Sequence, residues 1–259
     1  MKTVILAGGL GTRLSEETDL RPKPMVEIGD RPILLHIMDI YASQGFEEFV
    51  VCLGYRGYVI KEYFQNYMLH QSDVTFDYRK GNQLTVHRSN LPPWEVTMVD
   101  TGDSTQTGGR VARIKQYVGN QRFMLTYGDG VANVDLRKLI AFHEAHGKLC
   151  TVSAVQPSGR FGALIFDKDQ KRVAHFDEKP PGDGGWINGG FFVMEPRVFD
   201  YIDGDAVVLE QEPLKRLAAD GELCAYRHRG FWWAMDTLRD KRYLDNLCSG
   251  AQPPPWKRL

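Results

Sequence analysis

No C-x-x-C pair occurs among the four cysteines, Cys52, Cys150, Cys224 and Cys248, and three of them sit in or beside apolar runs. Zinc ribbons, redox motifs and disulfide frameworks need paired spacings, so reduced, buried thiols in a cytoplasmic protein are expected. The chain also lacks a run of about 18 apolar residues, the length that a membrane-spanning helix needs. Charge of one sign is not in excess, since 32 basic and 33 acidic side chains leave a formal net charge of −1. That balance argues against nucleic acid as a partner, because such surfaces carry a basic surplus. No linker, repeat or low-complexity block interrupts the 259 residues, so one compact α/β domain is expected. Met1-Lys2 runs directly into an apolar segment without a signal-peptide pattern.

What is present begins at once. Val4-Ile5-Leu6-Ala7 stops at Gly8-Gly9-Leu10-Gly11, followed by Thr12 and Arg13. This pattern is a buried strand emptying into a glycine-rich loop, whose backbone N–H groups can approach an anion closely. Lys23 follows between Pro22 and Pro24, which restrict its backbone. A guanidinium and an ammonium beside a donor-rich loop suggest a polyphosphate substrate; a tight turn that merely uses glycine is the other reading. Leu14 stands where a dinucleotide fingerprint needs its third glycine, and no Gly-Lys-Ser/Thr follows, so neither common phosphate-loop class applies.

Further along, periodicity predicts helices over 33–42 and 58–69, with a buried strand over 49–53 between them. Alternation over 74–78 and 84–87 around Lys80-Gly81-Asn82 predicts a hairpin, and 96–100 a further strand. Residues 105–110 read as a polar glycine-bearing loop leading into a helix. The strand 123–127 breaks at Gly128-Asp129-Gly130, and a lone carboxylate there is a candidate site residue or a turn aspartate. The helix 136–146 carries His143 and His146, which lack a third ligand and are read as a solvated face. Extended segments dominate 150–155, 161–166, 172–176 and 187–194, and the dense glycines between 182 and 190 would let backbone approach a ligand. Short helices at 198–202 and 210–219, strands at 223–227 and 231–233 and a helix over 238–247 capped by Thr237 complete the pattern. Three consecutive prolines at 253–255 make the tail irregular.

Residues 6–13 with Lys23-Pro24, then Glu178-Lys179-Pro180 and Asn188-Gly189-Gly190 in that order, resemble the sugar-nucleotide pyrophosphorylases, nucleotidyltransferases of Rossmann-like fold. Residues 20–29, 72–76, 100–104, 126–130 and 235–241 more narrowly resemble the glucose-1-phosphate cytidylyltransferases, and the likeness runs from residue 1 to about 248. It implies a mixed, mainly parallel sheet flanked by helices, with a nucleotide-binding part over about 1–130. A sugar-binding and metal-completing part would follow over about 131–248, and an irregular tail over 249–259.

The implied reaction is attack by glucose 1-phosphate on the α-phosphorus of CTP, giving CDP-glucose and pyrophosphate. Carried over residue by residue, Leu6, Ala7, Gly8, Gly9, Leu10, Gly11, Thr12, Arg13 and Lys23 would hold the triphosphate. Thr105, Arg110 and Gly128 would lie against the nucleotide. Asp129 and Asp236 correspond to the two carboxylates that bind Mg²⁺, and Arg13, Lys23 and Asp129 are the implied catalytic residues. Gly162, Glu178, Lys179, Asn188 and Gly189 fall where the sugar phosphate is contacted. Trp233-Ala234 before Met235 departs from the family pattern. Homo-oligomers are implied as well, with the aromatic-rich segment 58–78 a candidate interface. A thymidylyl- or uridylyltransferase remains open, as does a non-catalytic nucleotide-sugar sensor, although a sensor would not need both metal carboxylates.

Overall fold

The computed structural model describes residues 1–9, 11, 14–157, 163–166, 173–177 and 185–257. Seven strands form the central sheet: β1 (Thr3–Leu6), β2 (Glu48–Leu53), β3 (Glu95–Asp100), β4 (Phe123–Tyr127), β5 (Cys150–Val155), β6 (Ile187–Met194) and β7 (Leu223–Arg227). Their spatial order is β7-β5-β6-β4-β1-β2-β3. Only β6 runs against its neighbours, β4 and β5, so the sheet is mixed and mainly parallel.

Successive side chains of a strand point to opposite faces, and here each face feeds its own core. Ile5, Val51, Met124 and Phe191 pack on one side with the helix Ile33–Ala42. Val4, Val50, Cys52, Leu125 and Phe192 pack on the other, with Val111 and Leu217. Burial on both faces is why these strands read as continuous apolar runs without polar alternation.

The helices begin and end where local chemistry allows. Asp135 accepts a hydrogen bond from the Lys138 N–H (3.0 Å) and opens Leu136–His146, which Gly147 closes at φ 64°. Thr237 and Asp240 form a reciprocal capping box at the start of Leu238–Cys248. The hairpin of Ser72–Asp77 with Gln83–Ser89 projects from the body, with nearly all its side chains exposed.

Three expectations change. His143 and His146 do not form a solvated face. His143 is buried with Nδ1 2.8 Å from Thr151 Oγ1, and His146 Nε2 lies 2.7 Å from the same oxygen, because their helix rests on β5. Burial lowers the proton affinity of both rings. The segment 105–110 is not all loop, since the helix already starts at Thr107 (Thr107–Arg113), where Gly108 N–H donates to Val207 O at 2.9 Å. Residues 198–201 belong to a 3-10 turn, Pro196–Tyr201, and Ile202 lies just past its end. The tail keeps little regular structure yet is docked. Trp256 is 1% exposed, beside Phe231, and its Nε1–H donates to His36 Nδ1 at 3.3 Å. No helix among the described residues is long and apolar enough to cross a membrane.

His36 Nε2–H donates to Ile28 O at 3.0 Å while Nδ1 accepts from Trp256, so the folded ring is neutral. Burial pulls its pKa from about 6.5 down to about 4. The unfolded chain therefore binds more protons between those values, and stability is expected to fall as pH drops from about 6.5 toward about 4. Trp256→Ala is expected to cost about 3–5 kcal/mol. Denaturant unfolding followed by circular dichroism across that pH range checks both.

Candidate active site

β1 and β4 are adjacent and parallel, with Leu6 paired to Tyr127, and the Gly128 N–H donates to Leu6 O at 3.0 Å. The glycine loop and the Gly128-Asp129 turn therefore leave the sheet side by side at its carboxyl edge, where open α/β sheets bind ligands. There they wall a cleft of about 540 Å³. Leu6, Ala7, Gly8, Gly9, Gly11, Lys23, Thr105, Arg110, Gly128 and Asp129 all line it. Leu10, Thr12 and Arg13 of the loop, and Gly162, Glu178 and Lys179 of the sugar motifs, lie outside the described residues. The N–H groups of Gly8, Gly9 and Gly11 donate to no acceptor among the described residues, which leaves them for ligand oxygens.

At the mouth of the cleft, Lys23 Nζ donates to Asp129 Oδ2 at 2.6 Å and to Asp236 Oδ1 at 2.8 Å. Local structure makes this meeting possible. Pro22 caps the 3-10 turn Lys23–Met25 and Pro24 lies within it, the turn being closed by Met25 N–H to Pro22 O at 2.8 Å. Gly130–Ala132 pairs with Trp232–Ala234, and the ribbon continues through Met235 N–H to Asp129 O at 2.8 Å. That pairing sets Asp236 beside Asp129. Trp233 beside them donates to Asp240 Oδ1 at 3.2 Å and packs on Tyr243. Burial lowers the Lys23 pKa, but the Asp129 charge and hydrogen bond, with those of Asp236, more than offset it, so the ammonium is held above its usual value.

Two carboxylates converging on one cation are a donor set that suits Mg²⁺. Among the described residues no third His, Cys, Asp or Glu joins them. Mg²⁺ is commonly held in this way, by one or two carboxylates with the remaining positions filled by water and substrate phosphates.

Arg110 lines the cleft and also ties together the loops around it. Its guanidinium is buried and donates to the carbonyls of Leu53 (3.0 Å), Gly102 (2.8 Å), Gly8 (2.9 Å) and Asp103 (3.3 Å) and to Thr101 Oγ1 (2.7 Å). It packs so tightly on Gly8 that a Cβ there would collide with it. One side chain thus ties the glycine loop to the 101–103 turn and to the end of β2. Burial lowers its pKa.

On the sugar side, Asn188 Nδ2 donates to Tyr127 Oη at 3.0 Å, and Gly189 is buried with its carbonyl accepting from Trp232 Nε1 at 2.7 Å. Tyr127 also bonds Glu210, whose second oxygen accepts from Thr107 Oγ1 at 2.7 Å. Tyr127 and Thr107 line the cleft, and neither they nor Glu210 belongs to a phosphate- or sugar-binding motif. Glu210 has no local signal, because its partners lie 83 and 103 residues away in the chain.

The nucleotidyl transferase family model matches residues 2–232. Over 258 residues the chain is 58% identical to a glucose-1-phosphate cytidylyltransferase of Salmonella typhi, covering 99% of each chain. It is 44% identical to a probable glucose-1-phosphate cytidylyltransferase of Bacillus subtilis, again over 99% of each. The solved structure of HddC from Yersinia pseudotuberculosis complexed with GMP-PN superposes with a TM-score of 0.69 at 23% identity. That likeness covers 95% of this chain and 98% of the other, and carries the fold alone.

Arg110→Ala would strand several buried carbonyls at once. A loss of about 3 kcal/mol in unfolding free energy is expected. Faster amide exchange at Gly102, Asp103 and the 7–9 segment is also expected, measured by hydrogen–deuterium exchange.

Proposed function

This chain belongs to the nucleotidyl transferase family, and from that premise we propose that it transfers the cytidylyl group of CTP to α-D-glucose 1-phosphate, giving CDP-glucose and pyrophosphate. The full-length similarity to glucose-1-phosphate cytidylyltransferases supports the choice of base and sugar. The observation that carries the chemistry is Lys23 bound to Asp129 and Asp236 beside the glycine loop.

An oxygen of the sugar phosphate attacks the α-phosphorus, and the bond from that phosphorus to the β-phosphate oxygen breaks. The attacking group is already ionised at neutral pH, so no general base is needed. Two polyanions must instead be brought together, aligned and neutralised. The N–H groups of Gly8, Gly9 and Gly11, which bond no acceptor among the described residues, hold phosphate oxygens of the nucleotide. Lys23, kept charged and oriented by its two carboxylates, meets the charge at the α-phosphate. Arg13, by its place in the loop, serves the departing pyrophosphate with a planar fork that matches phosphate oxygens. Thr105 lies on the base side, and Arg110 keeps the loops in register. Asn188 and Gly189, with Gly162, Glu178 and Lys179, receive the sugar phosphate. Asp129 and Asp236 would hold Mg²⁺, which supplies further neutralisation of phosphate charge.

We also place the enzyme in the cytoplasm as a homo-oligomer. Its aromatic segment 58–78, with Tyr58 and Tyr78 exposed, offers a surface for a second copy. The product suits synthesis of surface polysaccharide such as the O-antigen of lipopolysaccharide.

Pyrophosphate release with glucose 1-phosphate is expected to be at least about tenfold faster with CTP than with UTP or dTTP. Chelation of divalent cations should stop it, and Lys23→Ala or Asp129→Ala should slow it by about a hundredfold or more. Faster turnover with UTP or dTTP would reassign the base. CTP binding in a calorimeter with no product formed in the presence of Mg²⁺ would favour a sensor.

A further inference from the structure

Asn188, Tyr127, Glu210 and Thr107 are joined by hydrogen bonds whose directions follow from donor and acceptor chemistry. The Gly190 N–H can only donate, and it lies 2.8 Å from one end of the Asn188 amide, which must be the oxygen. The other end is then the NH₂ group, 3.0 Å from Tyr127 Oη, and it too can only donate. Tyr127 has one proton to place, and Glu210 Oε1 accepts it. Glu210 Oε2 accepts from Thr107 Oγ1 at 2.7 Å, and that hydroxyl accepts in turn from the Leu209 N–H at 2.9 Å.

We propose that Glu210 is a positioning residue that sets hydrogen-bond polarity at the sugar subsite. By accepting the hydrogen bond from the Tyr127 hydroxyl, it makes Tyr127 an acceptor toward Asn188. Asn188 is thereby held with its oxygen on the Gly190 N–H and one N–H left to offer. The group offered to the sugar phosphate is a donor, matched to a hydroxyl oxygen that accepts. The inference rests on the reading above, in which Asn188 faces the sugar phosphate. It adds that the polarity is imposed from Glu210, on the segment leading to the helix Glu212–Ala219. Because Thr107 lines the nucleotide cleft, the same carboxylate joins the two substrate subsites.

Reversing the polarity tests this. Asn188→Asp places a carboxylate oxygen against a Tyr127 oxygen whose proton is already committed. The KM for glucose 1-phosphate is expected to rise about a hundredfold, with the KM for CTP within about threefold as a sign that the cleft is intact. Adding Glu210→Gln lets its amide N–H face Tyr127 and its oxygen face Thr107, which frees the Tyr127 proton for the new carboxylate. About tenfold of the lost KM should return, the order of one hydrogen bond. Adding Tyr127→Phe should abolish that recovery, because the relay needs the hydroxyl, whereas relief of like charge alone would survive it. Either no recovery in the double variant or recovery that persists without the hydroxyl overturns the proposal. Failure of the functional reading itself is distinguishable. The unsubstituted protein would then show no glucose 1-phosphate-dependent turnover of CTP, and both claims would fall.

Discussion

Lys23 holds Asp129 and Asp236 across 106 and 213 residues of chain, and the architecture around the cleft serves that meeting. Two carboxylates close together repel, and burial works against the charge of an ammonium. Joined, the carboxylates more than offset that burial for Lys23, and the cluster keeps a cation and two anions beside the glycine loop. The prolines beside Lys23, the β1–β4 register that places Asp129 and the ribbon that carries Asp236 all act on this one geometry.

Around it the protein uses hydrogen-bond direction as much as charge. Arg110 spends its donors on carbonyls and a hydroxyl from two loops and one strand end, so the cleft wall is held by one guanidinium without a carboxylate bonded to it among the described residues. Glu210 does the converse, accepting hydrogen bonds from two hydroxyls that line the cleft, those of Tyr127 and Thr107. A donor hub organises the nucleotide side, and an acceptor hub joins it to the sugar side. In each case the hub is a charged group whose hydrogen bonds are stronger and more directional than those between neutral groups.

The same logic runs through the body of the fold. His36 stays neutral because its two nitrogens are committed to opposite roles, one donating to Ile28 O and one accepting from Trp256. That pair fastens the proline-bearing tail over the core. His143 and His146 likewise turn inward on Thr151, where an amphipathic reading of their helix places them outside.

The strands, the main helices and the glycine loop were legible because their causes are local. β-branched runs, capping residues and glycines act within a few positions, and 33–42, 136–146 and 223–227 fall where periodicity places them. Lys23, Asp129 and Asp236 were legible as a set through resemblance, and their separate local contexts could not have joined them. What no local pattern carried was partnership. Arg110 reads as a loop residue near a base, yet it turns onto Gly8, 102 positions back. Glu210 reads as the first residue of a helix, yet it precedes that helix and accepts from Tyr127. The sequence by itself determined which residues could donate, accept or carry charge, since that is side-chain chemistry. Only the tertiary structure decided which of them meet, because strand register and crossover paths set distance, and a hydrogen bond acts only at contact.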